Sequence, residues 1–156
     1  MISVGDKIPD VQVMATGLTP VRTGDLFSKG KIVVFAVPGA FTPTCSDYHL
    51  PGFVLRGDEF RTKGVDHVYC ISVNDAFVME AWGRDKNVGT AVVMLADGNA
   101  EFTSAMGLTM DGTGFGLGTR SRRYAMIIED GVVTALEVEP DGGLNVSSAE
   151  AILKRL

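Results

Sequence analysis

The sequence predicts a mixed α/β protein in which one central β-sheet carries helices on both faces. Short apolar runs at 31–37, 67–73 and 91–95 have the length and β-branched content of buried strands. Segments with helix-start and helix-stop signals separate these runs, and Asp130-Gly131 lies between two further apolar runs, as is typical of a β-hairpin. Strands that alternate with helices favour a sheet covered on both faces.

The first half of the chain predicts a short approach to the sheet and then its first strand. In order, we expect an extended piece with Val11 and Val13 on one face, a turn at 17–20, one helical turn at 23–27, the strand 31–37, a loop to Cys45, and helical segments that end at a Gly64 cap. Phe53, Leu55 and Phe60 mark the helical segments, and Pro51-Gly52 is predicted to interrupt them or to begin a second helix.

The second half predicts two more central strands, a hairpin and a last helix. In order, we expect the strand 67–73, a helix capped by Asp75 with Phe77, Val78, Ala81 and Trp82 on one face, the strand 91–95, a short helix at 99–106, a Gly-rich loop at 112–118 and a hairpin over 123–138. Ser147 with Glu150 predicts a capping box for a final helix over 149–156.

Composition limits the class of protein. A length of 156 residues with 46% hydrophobic residues predicts one domain, residues 1–156, with a real core. A net charge of −5 argues against a nucleic-acid surface, and the longest apolar run, about six residues, is far short of a membrane span of roughly 20. No secretory signal is seen at the start. We expect a cytoplasmic protein with no nucleic-acid or membrane partner, with a processed organellar form as the alternative.

One of the two cysteines lies in a context that favours reactivity. The strand 31–37 ends at Pro38-Gly39, and Thr42-Pro43-Thr44 is typical of a helix start, so Cys45 is predicted in the first helical turn. Unpaired N–H groups and the positive dipole end favour an anion there, which stabilises a thiolate. A buried inert cysteine is the alternative, but it would need neither the break nor the capped turn.

The same stretch resembles a known family. Pro38, Thr42 and Cys45 in PGAFTPTC match the P-x-x-x-T-x-x-C signature of peroxiredoxins, and PGAFTPTCSDYHLPGF is similar to their type-II (type-five) subgroup. The resemblance continues at 72–75, 82–84, 122–124 and 138–142. It implies a thioredoxin-like fold with an N-terminal extension. It also implies a cofactor-free, thiol-dependent peroxidase that reduces hydrogen peroxide and alkyl hydroperoxides through a Cys45 sulfenic acid, in antioxidant defence.

The resemblance and the spacing together nominate further site residues. Thr42 lies about one helical turn before Cys45, so its hydroxyl can point at the sulfur or at a bound peroxide oxygen. The family pattern places its catalytic arginine just before an aromatic residue, which corresponds to Arg123. Pro38 is expected to shape and shield the pocket. Arg84 is similar to a second family arginine near the pocket, with a role outside the site as the alternative.

The remaining cysteine and the two histidines lie outside the signature. Cys70 matches by spacing the second cysteine of type-II relatives; it is either a resolving thiol or, as we favour, a packing residue. Residues 144–147, where some relatives carry a resolving cysteine, contain none. Oxidised Cys45 is therefore expected to need glutathione with glutaredoxin, or thioredoxin. We expect no metal, because His67 and Cys70 lie three apart on a strand and face opposite sides. His49 is expected to pack or hydrogen-bond beneath the Cys45 loop.

Apolar loop residues suggest a homodimer contact, as the resemblance implies; they are Ala40, Phe41, Phe115 and Leu117. Two other functions stay open. A thiol–disulfide oxidoreductase could use Cys45 on the same fold, although Thr42 stands where the first cysteine of C-x-x-C would be. A non-catalytic, redox-responsive binding or holdase module could use the exposed apolar loops.

Overall fold

A computed structural model describes residues 1–156 and shows a mixed sheet with helices on both faces. The strands are β1 Gln12–Ala15, β2 Thr19–Arg22, β3 Lys31–Ala36, β4 His67–Ser72, β5 Val93–Ala96, β6 Thr109–Asp111, β7 Thr119–Ser121, β8 Tyr124–Glu129 and β9 Val132–Val138. The helices are α1 Thr23–Leu26, α2 Leu50–Leu55, α3 Gly57–Thr62, α4 Ala76–Asp85, α5 Glu101–Met106 and α6 Ala149–Leu153. A π-helical turn, Cys45–His49, precedes α2, and a 3-10 turn, Thr113–Phe115, lies between β6 and β7. No helix has the length and apolar character needed to cross a lipid bilayer.

Seven strands form the main sheet in the order β2-β1-β5-β4-β3-β8-β9, and β6 pairs with β7 in a separate ribbon. β3 pairs in parallel with β4 and antiparallel with β8, so the sheet is mixed as predicted. Alternate residues of β3 supply the two hydrophobic clusters on either face of the sheet. Val33 and Phe35 lie in the cluster that contains Cys45, whereas Ile32 and Val34 lie in the opposite one.

The helix α4 differs from the prediction in which apolar residues it buries. In α4, Asp75 is the N-cap as predicted, because its carboxylate accepts from the Val78 N–H at 2.8 Å. The buried face of α4 is Ala76, Met79, Trp82 and Gly83, and Phe77 is 64% exposed. Leu55 is also exposed, at 82%. Phe77 follows directly after the buried Ala76, and Leu55 lies two residues after the buried Phe53, so each side chain faces away from the buried side of its helix.

The helix that carries Cys45 passes through Pro51-Gly52 without a break. Its π turn closes with a bond from the Leu50 N–H to the Cys45 carbonyl, directly before Pro51. Pro51 has no N–H to donate, and its ring would clash with the carbonyl four residues earlier in a regular α-helix. A π turn accommodates such a position by widening the backbone locally. The helical backbone is interrupted later, at Arg56, which lies between α2 and α3.

The predicted capping box at the last helix is wrong by one residue. Ser148 is the N-cap of α6, and its hydroxyl accepts from the Ala151 N–H at 3.1 Å. Ser147 is buried instead, and its hydroxyl donates to the Glu139 carboxylate at 2.6 Å. The helix is also shorter than 149–156, since it ends at Leu153. A buried carboxylate therefore determines the conformation of Ser147, which a local capping pattern does not reveal.

Candidate active site

Cys45 lies at the start of the helix that follows β3, with its side chain fully buried. The N–H of the next residue, Ser46, bonds the Thr42 carbonyl at 2.9 Å. Cys45 precedes it, in the first turn, where backbone N–H groups lack acceptors within the helix. Trp82 of α4 fixes this turn from the side, because its indole N–H donates to the Ser46 hydroxyl at 2.9 Å.

The sulfur has a guanidinium as its hydrogen-bond donor. Arg123 Nη2 donates to Cys45 Sγ at 3.1 Å, and both residues are buried. Arg123 comes directly before β8, and Ala125 and Ile127, which share its face, lie in the cluster that contains Cys45, as the strand alternation predicts. No carboxylate lies within ion-pair distance of Arg123. A negative charge on the Cys45 sulfur would therefore be well placed to balance this buried guanidinium.

His49 contacts the other terminal nitrogen of the Arg123 guanidinium. Arg123 Nη1 donates to His49 Nδ1 at 2.8 Å, and His49 Nε2 lies 2.9 Å from the Ser147 carbonyl. A carbonyl can only accept, so Nε2 carries the proton and Nδ1 is the acceptor. Burial, with the nearby Arg123 charge, lowers the pKa of His49 to about 3. The imidazole is thus neutral at physiological pH and orients Arg123 as a hydrogen-bond acceptor.

Thr42 and Pro38 lie on the loop that precedes the sulfur. Thr42 is half-buried, and its hydroxyl donates to the Gly39 carbonyl at 2.6 Å. Its single proton is therefore not directed at the sulfur, and the oxygen is left with lone pairs as an acceptor. Pro38 is also half-buried and ends the extended backbone after β3.

Sequence reasoning missed two residues that hold this loop in place. Arg120 donates from Nη1 to the carbonyls of Val73 at 3.2 Å and Pro38 at 3.5 Å. The side-chain oxygen of Asn74 accepts from the Ala40 N–H at 3.0 Å. Arg120 lies close in the chain to Arg122 and Arg123, and Asn74 belongs to the segment 72–75 that continues the resemblance. Neither sequence feature predicted that Arg120 and Asn74 would bond to the loop that precedes Cys45.

The structure does not bring Arg84 to the sulfur. Arg84 is exposed on α4 and pairs with Glu80 at 3.3 Å, one helical turn away. It lines a surface cavity of about 720 Å³ together with Glu80 and Val93, and neither Cys45 nor Arg123 lines that cavity. These contacts favour the alternative for Arg84, a role outside the site.

Cys70 and His67 lie on opposite faces of β4, as the strand geometry predicts. Cys70 is fully buried in the cluster that contains Cys45, whereas His67 is exposed at the start of the strand. Both cysteines are free thiols. Burial, together with the proximity of Cys45, raises the pKa of Cys70 well above its ordinary value. The Cys70 thiol therefore stays protonated and has the surroundings of a packing residue.

Comparisons with known proteins agree with this geometry. The redoxin family model matches residues 3–153. Peroxiredoxin-2E, chloroplastic, of Arabidopsis thaliana is 51% identical over 162 residues, which cover 99% of this chain and 69% of that relative. Peroxiredoxin-2B of the same plant is 45% identical over 159 residues, which cover 99% of this chain and 98% of the relative.

A solved structure extends the likeness to three dimensions. Reduced Prx3 of Vibrio vulnificus, crystallised in complex with hydrogen peroxide, has a TM-score of 0.96 and 51% identity to this chain, and the match covers 100% of both chains. This likeness confirms the thioredoxin-like fold that the sequence predicted. The chain therefore belongs to the peroxiredoxin family and is a thiol-dependent peroxidase.

Proposed function

We propose that the protein reduces hydrogen peroxide and alkyl hydroperoxides at Cys45, and that Arg123 and Thr42 contact the reacting atoms. The observation that carries this proposal is the 3.1 Å contact from Arg123 Nη2 to Cys45 Sγ in a buried site. A buried guanidinium without a carboxylate partner is costly unless an anion faces it. Ionised Cys45 supplies that anion, and the thiolate is the nucleophilic form of cysteine.

The chemical step needs only a peroxide and this sulfur. The thiolate attacks one peroxide oxygen, so an S–O bond forms as the O–O bond breaks. The sulfur is oxidised to a sulfenic acid, and the second oxygen leaves as hydroxide or alkoxide and takes a proton to become water or an alcohol. Arg123 can stabilise the charge that moves from sulfur to oxygen, since hydrogen bonds to charged groups are the strong ones.

Thr42 and Pro38 are proposed to receive the peroxide. Because the Thr42 hydroxyl donates to the Gly39 carbonyl, its oxygen can accept a hydrogen bond from the peroxide O–H. Pro38 offers no N–H and covers the approach with an apolar ring. The N–H of Cys45, in the first helical turn, adds a donor for the developing negative charge. His49 orients Arg123 without touching the substrate.

We propose that an outside thiol restores Cys45. The sulfenic acid condenses with one thiol to a mixed disulfide and releases water, and a second thiol then frees Cys45 as a thiolate. Glutathione with glutaredoxin, or thioredoxin, fits this role because Cys70 is buried and protonated. The buried sulfur also implies that the Cys45 turn must open before a bulky thiol can reach it.

A homodimer is the proposed assembly, formed through apolar side chains of two neighbouring loops. Phe41 is 52% exposed and Phe115 is 86% exposed. Arg120 joins their loops, since it donates to the carbonyls of both Leu117 and Pro38. Analytical ultracentrifugation of Phe115→Asp should show a monomer if this surface is the interface.

Two free thiols are consistent with the reducing cytoplasm, which we propose as the location.

The decisive experiment replaces the sulfur. Cys45→Ser is expected to abolish peroxide consumption in the presence of glutathione and glutaredoxin, or of thioredoxin with its reductase. Running both reducing systems with the wild-type protein also identifies the reductant that sustains turnover. A Cys45→Ser protein that still consumed peroxide at the wild-type rate would overturn the proposal.

A further inference from the structure

We propose that Glu139 is a positioning residue of the peroxidase site, which orients the Arg123 guanidinium through Ser147 and His49. This inference rests on the role proposed above for Arg123. Glu139 lies just after β9 and touches neither the sulfur nor the approach to it. Its effect would reach the reaction through three successive hydrogen-bonded groups.

The first link joins Glu139 to the loop before α6. Glu139 is buried, and its Oε2 accepts from the N–H groups of Asn145 and Ser147 at 2.8 Å each and from the Ser147 hydroxyl at 2.6 Å. No lysine, arginine or histidine lies within ion-pair distance of this carboxylate. Burying a carboxylate without a cation is costly. Packing alone does not explain why a glutamate occupies this buried position.

The second link joins Ser147 to His49. Two donors of Ser147 bond to the Glu139 carboxylate, and these bonds fix the orientation of Ser147. The Ser147 carbonyl then lies 2.9 Å from His49 Nε2. That contact requires the imidazole proton on Nε2 and leaves the lone pair of Nδ1 directed at Arg123. With the proton on Nδ1 instead, two N–H groups would face each other and the bond to Arg123 would be lost.

The third link joins His49 to the guanidinium. Arg123 Nε is buried without a partner, so the orientation of the planar group depends on what its two terminal nitrogens contact. Nη1 bonds to His49 at 2.8 Å and Nη2 bonds to Cys45 Sγ at 3.1 Å. The Glu139 N–H also donates to the Arg123 carbonyl at 2.9 Å. Glu139 thus holds the backbone of Arg123 directly and its side chain by way of the loop.

The separation between acid and guanidinium has a chemical consequence. A carboxylate in direct contact with Arg123 would neutralise it and compete with the thiolate. Here a neutral imidazole and a peptide group lie between Glu139 and Arg123, so orientation is transmitted while the positive charge stays available to the sulfur. The arrangement resembles the outer-shell carboxylates that orient histidine ligands at metal sites.

The test compares Glu139→Ala and Glu139→Gln with Glu137→Gln as the matched control. Glu137 lies on β9, two residues before Glu139, and pairs with Arg155 outside the chain of contacts. Stopped-flow measurement of the reduced enzyme with hydrogen peroxide should show a loss of at least about tenfold in the second-order rate constant for Glu139→Ala. We expect an intermediate loss for Glu139→Gln, whose single amide oxygen replaces the charged acceptor, and a rate within about twofold of wild type for Glu137→Gln.

A spectroscopic measurement separates positioning from general destabilisation. The 15N chemical shifts of the His49 ring should report the Nε2–H tautomer in the wild-type protein and a tautomer mixture in Glu139→Ala. The protein has two histidines, so His67→Gln assigns the signals. A folded Glu139→Ala protein with the wild-type rate and tautomer would overturn the proposal, even if its melting temperature were lower.

Two further outcomes are decided by additional variants. If Glu139→Ala does not fold, Glu139→Gln replaces it, and a wild-type rate and tautomer in that protein would also overturn the proposal. Arg123→Met is measured alongside. If Arg123→Met alone slows the peroxide step, positioning by Glu139 is wrong and the role of Arg123 stands; if Arg123→Met is also unaffected, the proposed role of Arg123 itself fails.

Discussion

Arg123 and His49 are joined by one hydrogen bond, 2.8 Å from Nη1 to Nδ1, and this bond determines where the guanidinium can act. His49 is buried and uncharged, so it orients Arg123 without adding or removing charge. The remaining terminal nitrogen of Arg123 is directed at Cys45. His49 therefore lies between the guanidinium that contacts the sulfur and the loop that carries Ser147.

Replacing Arg123 should slow the peroxide step far more than it destabilises the fold. We expect Arg123→Met to lower kcat/KM for hydrogen peroxide by about 10²–10³, the usual cost of losing one preorganised donor. Arg84→Met is the matched control and should stay within about twofold, since Arg84 is exposed and pairs with Glu80. Equal losses in the two variants would contradict this account.

His49 should make the folded protein sensitive to acid. Its pKa falls from 6.5 in the unfolded chain to about 3 in the fold, so only the unfolded chain takes up this proton between those values. The contribution of neutral His49 to the free energy of unfolding is fully present above pH 6.5. Below it, the free energy of unfolding should drop by up to about 1.4 kcal/mol per pH unit.

Urea unfolding between pH 4 and 8 checks the contribution of His49. The decline should be shallower in His49→Gln than in the wild type, although His49→Gln starts from a lower stability because it disturbs buried hydrogen bonds. His67→Gln, which changes an exposed histidine, should keep the wild-type slope. Identical slopes in the wild type and His49→Gln would show that His49 does not titrate as described.

The contact between Trp82 and Ser46 should be measurable as a coupling energy. The indole N–H donates to the Ser46 hydroxyl at 2.9 Å, and both residues are buried. A double-mutant cycle of Trp82→Phe and Ser46→Ala, measured by urea unfolding, should give a coupling of about 0.5–1.5 kcal/mol. A sum of single effects equal to the double effect, within about 0.3 kcal/mol, would show that the bond contributes nothing.

Cys70 should affect stability and not turnover. Cys70→Ser places a hydroxyl in an apolar cluster, so we expect a loss of about 1–3 kcal/mol in the free energy of unfolding. Peroxidase turnover with an outside thiol should remain within about twofold of wild type. A collapse of turnover in a folded Cys70→Ser protein, with Cys70→Ala behaving the same way, would instead assign Cys70 a resolving role.

Much of the site followed from short-range patterns. The break after β3 and the Thr42-Pro43-Thr44 sequence placed Cys45 at a helix start, and the strand alternation placed Arg123 on the face opposite Tyr124. These predictions succeeded because strand and helix periodicity depend on neighbours in the chain. The predicted capping role of Ser147 failed because a buried carboxylate, eight residues away, competes for its donors.

By itself, the sequence determined the fold class, the reactive cysteine and the strand that carries its arginine, because each depends on local spacing and a specific motif. Only the tertiary structure decided which distant groups meet at the sulfur. Arg123 and Cys45 are 78 residues apart, and His49 and Ser147 are 98 residues apart. The sheet register and the packing of the last loop bring them together, and neither is encoded in the residues adjacent to the sulfur.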